Sequence, residues 1–194
     1  MNIFALDENP KNAAMMHCDK HVSKMVVESA QMLSTAHRVI DGVEESRPSK
    51  SGKRMVKYWK HTNDDLEESL YKACHVNHPS SKWTRDSVCN YLWHYELFKY
   101  LSEEYQFRYG RTHLTWQKLG DVLANPPANM SKIEMTPFEL AMGSNPECMN
   151  HDDPVGSYRA FYMTKQDRFN MVWSKRDVPY WFKYNEVGEK INSL

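Results

Sequence analysis

The chain has 194 residues, of which 41% are hydrophobic and 26% are charged, a composition that fits one compact domain with a sizeable core. Its 25 lysine and arginine residues balance 25 aspartate and glutamate residues, which excludes a uniformly basic nucleic-acid-binding surface but not a local patch. No apolar run approaches the roughly 20 residues that a membrane span needs, and no secretory signal opens the chain, so we predict a cytoplasmic protein without a membrane segment.

The predicted elements begin with a short apolar run, Met1–Leu6, which reads as a strand or an extended lead-in. Asn9 as N-cap and Pro10 at the first helical position then predict a helix that continues without Gly or Pro to Asp41. Residues 43–55 follow as a predicted mobile basic loop. They overlap the stretch RPSKSGKRMVKYWK, residues 47–60, which carries six basic residues and no acidic one.

Two further helices are predicted after this loop. A short helix over Asp64–Cys74 precedes a long one that runs through Trp83–Tyr109 and is ended by the following glycine. The prolines of Asp121–Asn145 predict a loop, and a last helix begins at Asp153-Pro154 and reaches about Trp173. Because no βαβ rhythm appears, the predicted fold class is mainly α. We expect a single helical domain over 1–194, with a short N-terminal extended segment and long irregular connections.

One face of the first predicted helix collects side chains that can move protons. At 100° per residue, His17, His21, Lys24 and Glu28 align in a column opposite the apolar face. We predict Glu28 as a general acid or base, and Lys24 or Lys20 as an electrostatic group or amine nucleophile. His17 and His21 would orient the substrate or shuttle protons, since imidazole titrates near neutral pH. The alternative is an ordinary solvated helix face.

His17 and His21 also have the i, i+4 spacing of a helical metal-binding pair. His75 and His78, in the segment CHVNHP, could complete a ligand set for zinc or another divalent metal. No ligand spacing matches a closed zinc motif, so the first expectation is an enzyme without a cofactor. A metal-dependent hydrolase built on these four histidines is the second hypothesis.

Basic and aromatic side chains recur along the rest of the chain in a pattern that suits contact with phosphates and stacking on bases. Together with the basic stretch after the first helix, they make DNA the predicted partner, and the oligomeric state stays open. The predicted substrate-binding residues are His75, His78, Asn90, Arg108, His113, Arg159 and Lys165.

Several sequence segments, spread over most of the chain, carry a resemblance to a known group of proteins. The most specific are CDKHVSKM and ESAQMLSTAHR, and NHPSSKW, NYLWHYELFKYLSEEYQFRYG and DPVGSYRAFYMTKQ accompany them. They resemble a group of bacteriophage-encoded proteins loosely labelled pyrimidine-dimer DNA glycosylase-like. That label implies an all-α enzyme of the host cytoplasm that acts on DNA at a base. In such enzymes an N-terminal amine is the nucleophile and a helix glutamate is the essential carboxylate.

Three functions are therefore open at this stage. The first is an enzyme acting on DNA at a base, either a glycosylase/lyase or a base-modifying transferase, because both need the same nucleic-acid surface. The second is the metal-dependent hydrolase. The third is a non-enzymatic phage protein that binds a host factor and merely exposes the His/Lys/Glu column.

Overall fold

The computed structural model describes residues 1–185, which form seven α-helices, two short 3₁₀ turns and one antiparallel sheet of two strands. The prediction of a mostly helical chain is confirmed. None of the helices within this range is long and apolar enough to cross a membrane. The helices are α1 (Pro10–Met16), α2 (Asp19–Asp41), α3 (Asp64–Ser69), α4 (Pro79–Thr84), α5 (Val88–Tyr109), α6 (Leu114–Leu119) and α7 (Pro154–Met163), and the strands are β1 (Gly42–Pro48) and β2 (Met55–His61).

The first predicted helix is interrupted at His17 and Cys18, between α1 and α2. Its start is as predicted, since the Asn9 side chain caps α1. At the interruption the backbone makes tertiary hydrogen bonds instead of helical ones. The Arg108 guanidinium donates to the His17 carbonyl (2.8 Å), and the Cys18 N–H donates to the Tyr162 hydroxyl (2.9 Å). His17 and His21 therefore lie on different helices, and the prediction of one continuous column was wrong for His17.

The second long helix is likewise divided, into α4 and α5. Ser87 caps α5 by accepting the N–H of Asn90. Gly110 ends it as predicted, in a left-handed conformation with φ of 70° that a glycine adopts without strain. The short helix α3 ends at Ser69, and α7 ends at Met163 rather than near Trp173.

The predicted mobile loop over 43–55 is wrong, because most of it is a β-hairpin. Strand β1 pairs with β2 from Gly42↔His61 to Pro48↔Met55. No residue of β1 is buried and His61 is the only buried residue of β2, so neither strand has the buried apolar face that alternation in the sequence would indicate. The base of the hairpin is held by buried Arg38, whose guanidinium pairs with Glu67. The Glu67 carboxylate also accepts the N–H of His61 (2.8 Å).

One hydrophobic cluster joins the helices, and it also contains the start of the chain. Helix α2 packs against α5, as does α1. Residues Ile3–Leu6 are buried without forming a strand, so the extended lead-in is the correct reading of this segment. This burial places Met1 and Asn2 against the side of α2. The segment after α3 also follows α2, since the Tyr71 carbonyl accepts a hydrogen bond from Arg38 (2.7 Å).

Candidate functional site

Glu28, in the middle of α2, lies between two amines. Its side chain is 13% exposed, and Oε1 lies 3.2 Å from Nζ of Lys24, one turn earlier on the helix. Its Oε2 atom lies 3.8 Å from the amino nitrogen of Met1 and accepts the backbone N–H of Asn2 at 3.1 Å. The Lys24 side chain remains 55% exposed. The site thus holds one carboxylate between two amines, of which that of Lys24 is the exposed one.

The segment that contains His75 and His78 borders this carboxylate. The Cys74 N–H donates to the Thr35 hydroxyl of α2 (3.2 Å), which fixes the segment along the helix. The pKa of His78 is lowered by partial burial and by the charges of the Met1 amine and His75, while Glu28 raises it. Nδ1 of His78 accepts the N–H of Ser80 (3.2 Å), so the proton of the neutral ring is on Nε2.

His21, on the same helix as Glu28, is buried among aromatic side chains. Its ring stacks on Phe4 (5.1 Å between centroids), and a 2.8 Å hydrogen bond joins its Nδ1 to the Tyr162 hydroxyl. Burial lowers the pKa of His21 to about 3, and the positive charges of Lys24 and Lys165 act in the same direction. His21 is therefore a neutral ring at physiological pH and does not supply a positive charge.

Lys165 is the second lysine whose positive charge lowers the pKa of His21. It is buried, and its Nζ lies 3.3 Å from the centroid of the Phe161 ring. Burial lowers the pKa of Lys165 to about 8, helped by Arg168 and Lys24 and opposed by Cys148. An amine with such a pKa is partly neutral near pH 8, whereas an ordinary lysine is fully charged there.

Two of the predicted catalytic residues lie apart from Glu28. His17 is completely buried, and its Nδ1–H donates to the Ala13 carbonyl (2.7 Å). Burial lowers the pKa of His17 to about 4, and the ring is not accessible to solvent, so its position gives the predicted proton-shuttle role no support. Lys20 is exposed and lies over the Phe169 ring (4.7 Å to the centroid), while Lys24 is the lysine that pairs with Glu28.

Arg108 and Asn90 were predicted to bind substrate, and the structure assigns both to the core. The Arg108 side chain is 0% exposed and binds the Glu104 and Asp19 carboxylates. Asn90 is fully buried, where its Nδ2 donates to the Trp83 carbonyl (2.9 Å) and its Oδ1 accepts the Thr136 N–H (2.9 Å). The polar groups of both side chains are hydrogen-bonded within the protein. Neither is free to contact a phosphate or a base.

His113 and Arg159 also have structural partners, although both are partly exposed. Nδ1 of His113 accepts the N–H of Thr115 (3.1 Å) at the start of α6. Nε of Arg159 donates to the Leu6 carbonyl (2.8 Å), and its guanidinium lies 5.5 Å from the centroid of the Tyr180 ring. Its Nη1 donates to the Tyr180 hydroxyl (3.1 Å) and its Nη2 pairs with Asp7 (3.3 Å), so all three guanidinium nitrogens of Arg159 have partners within the protein.

The predicted metal ligands are not brought together. Within residues 1–185 the side chains that meet as a ligand group are His37, Asp41 and His61, whose ligand atoms all lie within 4.8 Å of one another and could hold a metal. Sequence reasoning missed this group. His37 and Asp41 have a helical i, i+4 spacing that could have indicated it, but His61 joins them only through its pairing with Gly42 in the hairpin.

The hairpin carries a basic groove of about 180 Å³. Four basic side chains line it together with the rings of Tyr58 and Trp59. Two of the basic groups are already paired, Arg47 with Glu45 and Lys57 with Glu44. The remaining two, Lys50 and Lys72, are exposed. The basic lining residues of the groove are Arg47, Lys50, Lys57 and Lys72.

Comparison of the chain with known protein families, with curated proteins and with solved structures gave no match.

Proposed function

We propose that this protein is an enzyme that acts on DNA at a base, as a glycosylase with lyase chemistry, and that Glu28 is its general acid or base. The observation that carries the proposal is the contact of one partly exposed carboxylate with two amines, the Nζ of Lys24 at 3.2 Å and the amino nitrogen of Met1 at 3.8 Å. The resemblance to the bacteriophage group supports the same chemistry, since its label implies an amine nucleophile beside a helix glutamate.

The chemistry follows from these groups. A neutral amine attacks C1′ of the target deoxynucleotide, the bond from C1′ to the base breaks, and the base leaves with the bonding electron pair and takes up a proton. Loss of a proton from the attached nitrogen and opening of the sugar ring give an imine between the protein and C1′. In this proposal Glu28 takes the proton from the amine and protonates the ring oxygen of the sugar as the ring opens.

The two amines are not equivalent as nucleophiles. The Lys24 side chain is 55% exposed, whereas that of Met1 is 4% exposed. The burial of the Met1 side chain against α2 also holds its amine in place. Lys24 then acts mainly as the positive charge that faces Glu28, and the amine at Met1 is the proposed nucleophile.

Exposed basic side chains near this site favour a DNA partner. Lys24 pairs with Glu28, Lys20 is exposed one turn before Lys24 on α2, and the basic groove belongs to the hairpin that follows the end of the same helix. Because positive charge is local in a chain of zero net charge, few phosphates are neutralised, and the dependence of affinity on salt is modest.

The decisive experiment traps the imine. The protein, with its N-terminal residue identified by intact mass, is incubated with DNA that contains an abasic site, and sodium borohydride is added. We expect a covalent adduct whose modified peptide begins at the N-terminus. An adduct at Lys24 would transfer the nucleophile role to that residue, and the absence of any adduct would contradict the glycosylase/lyase proposal.

The role of Glu28 is tested separately. Glu28→Gln keeps the shape and hydrogen-bonding capacity of the side chain but removes its titration, so we expect trapping and strand cleavage to fall by about 10²–10⁴-fold. Glu103→Gln, on the exposed face of α5, is the matched control and should retain full activity. Circular dichroism checks that both variants are folded. A folded and fully active Glu28→Gln protein would remove Glu28 from the mechanism.

A further inference from the structure

Three side chains that the proposed reaction does not use converge where α2 meets the hairpin. His37 and Asp41 lie one turn apart at the end of α2, and His61 is the last residue of β2. His37 and His61 are 4% and 3% exposed, and Asp41 is partly exposed. Their ligand atoms lie within 4.8 Å of one another. Two buried imidazoles and a carboxylate at such distances are the donor types that bind zinc.

The tautomer of His37 leaves a free lone pair in this group. The Tyr91 hydroxyl donates its only proton to the Leu123 carbonyl (2.9 Å), so it accepts the proton of Nε2 of His37 at 2.8 Å. Nδ1 then carries the lone pair; it is buried and makes no hydrogen bond of ordinary geometry, with the backbone of Asn125 beside the ring. Metal-binding histidines commonly have their second ring nitrogen fixed by such a hydrogen bond, which orients the ring.

His61 contributes the second unpartnered nitrogen. Its Nε2 is buried and makes no hydrogen bond, while its Nδ1 accepts the N–H of Asn63 (3.0 Å). In this state the ring proton is on Nε2. Binding of a metal through Nε2 moves the proton to Nδ1, and the hydrogen bond from Asn63 is then lost. Metal loading therefore has a local signature at the backbone of Asn63.

Asp41 is held in position as a carboxylate. Its Oδ2 accepts the N–H of Ala128 (2.7 Å), and its Oδ1 accepts the N–H and the side-chain amide of Asn129 (2.9 and 3.0 Å). These three donors fix the orientation of the carboxylate, and they occupy only part of the lone pairs of the two oxygens.

We propose that His37 Nδ1, His61 Nε2 and the Asp41 carboxylate form a binding site for a divalent transition metal of the zinc class. Two nitrogen donors and one oxygen select zinc or cobalt over magnesium and calcium, which prefer oxygen ligands throughout. Bond lengths of about 2.0–2.2 Å place tetrahedral ligands about 3.4 Å apart, so the side chains close in slightly on loading. The ion would tie β2 to the end of α2 through three protein ligands and would leave one coordination position open.

Metal binding to the purified, chelator-treated protein tests this site. We expect titration calorimetry with zinc to give one equivalent bound, and cobalt substitution to give the visible absorption bands of a low-symmetry site. His37→Gln, His61→Gln and Asp41→Asn should each weaken zinc binding by at least tenfold. The double variant His75→Gln/His78→Gln is the control, because those histidines lie outside the group, and it should bind zinc as the wild type does.

Nuclear magnetic resonance of the ¹⁵N-labelled protein supplies a readout that does not depend on substitution. The amide resonance of Asn63 should shift on zinc loading, and its exchange with solvent should accelerate as the hydrogen bond to His61 is lost. Failure of the wild type to bind zinc in the micromolar range would overturn the proposal, and so would zinc that is retained by folded His61→Gln or lost from the control. None of these measurements depends on whether the protein acts on DNA.

Discussion

Replacement of Arg108 by methionine tests whether this arginine stabilises the fold or binds phosphate. The guanidinium donates to Glu104 (2.8 Å), Asp19 (2.9 Å) and the carbonyls of His17 (2.8 Å) and Met15 (3.0 Å), all without exposure of the side chain. Methionine fills much of the same volume but satisfies none of these groups. The substitution therefore leaves two carboxylates without a partner that they have in the native protein.

The expected loss in the free energy of unfolding depends on the contacts that Glu104 keeps in the variant. Removing one partner of a buried ion pair costs about 3–5 kcal/mol. Arg176 still contacts both Glu104 oxygens, at 2.9 Å each, which keeps the cost of Arg108→Met near the lower end, at about 3 kcal/mol. For a chain of this length, each kcal/mol lowers the melting temperature by about 2–4 °C, so we expect a loss of about 6–12 °C.

Thermal unfolding followed by circular dichroism measures this loss. Arg111→Met is the matched control, because Arg111 is exposed and close in sequence, and surface substitutions usually change the free energy of unfolding by less than about 0.5 kcal/mol. DNA affinity is measured in parallel on the folded proteins. An Arg108→Met protein that melts like the wild type but binds DNA more weakly would refute the structural role and restore the phosphate-binding one.

Two further predictions concern acid stability and the hairpin. Burial lowers the pKa of His94 to about 3 and that of His37 to about 4, whereas an unfolded histidine titrates near 6.5. The unfolded state therefore binds more protons between those values. The free energy of unfolding should fall by roughly 1.4 kcal/mol per pH unit for each such residue as the pH decreases from about 6.5 to 4. Urea titrations at pH 7 and 5 measure this, and an equally steep decrease in His94→Gln would contradict it. Changing Lys50, Lys53 and Arg54, at the hairpin turn, to glutamine should reduce the log–log salt slope of DNA binding by up to about 2.7 with an unchanged melting temperature, and an unaltered slope would exclude the turn from the interface.

The contacts of the candidate site could be predicted from the sequence only where the residues lie on the same helix. Lys24 and Glu28 are one turn apart, so helical periodicity alone predicts their contact, and the structure gives 3.2 Å. The amine at Met1 could not be placed in this way. It reaches Glu28 because Ile3–Leu6 are buried in the core, and that burial depends on helices that come much later in the chain.

The amino-acid sequence by itself determined the helix ends that rest on local chemistry. Asn9 caps α1, Asp153 caps α7 by accepting the N–H of Gly156, and Gly110 ends α5, because each signal acts within one helical turn. Tertiary structure alone decided the break at His17, since the hydrogen bond that holds its carbonyl comes from Arg108, 91 residues later. Tertiary structure also decided that His37, Asp41 and His61 lie together, because His61 reaches α2 only when the two strands pair. Contacts between residues so far apart depend on how the helices pack, which neither periodicity nor capping encodes.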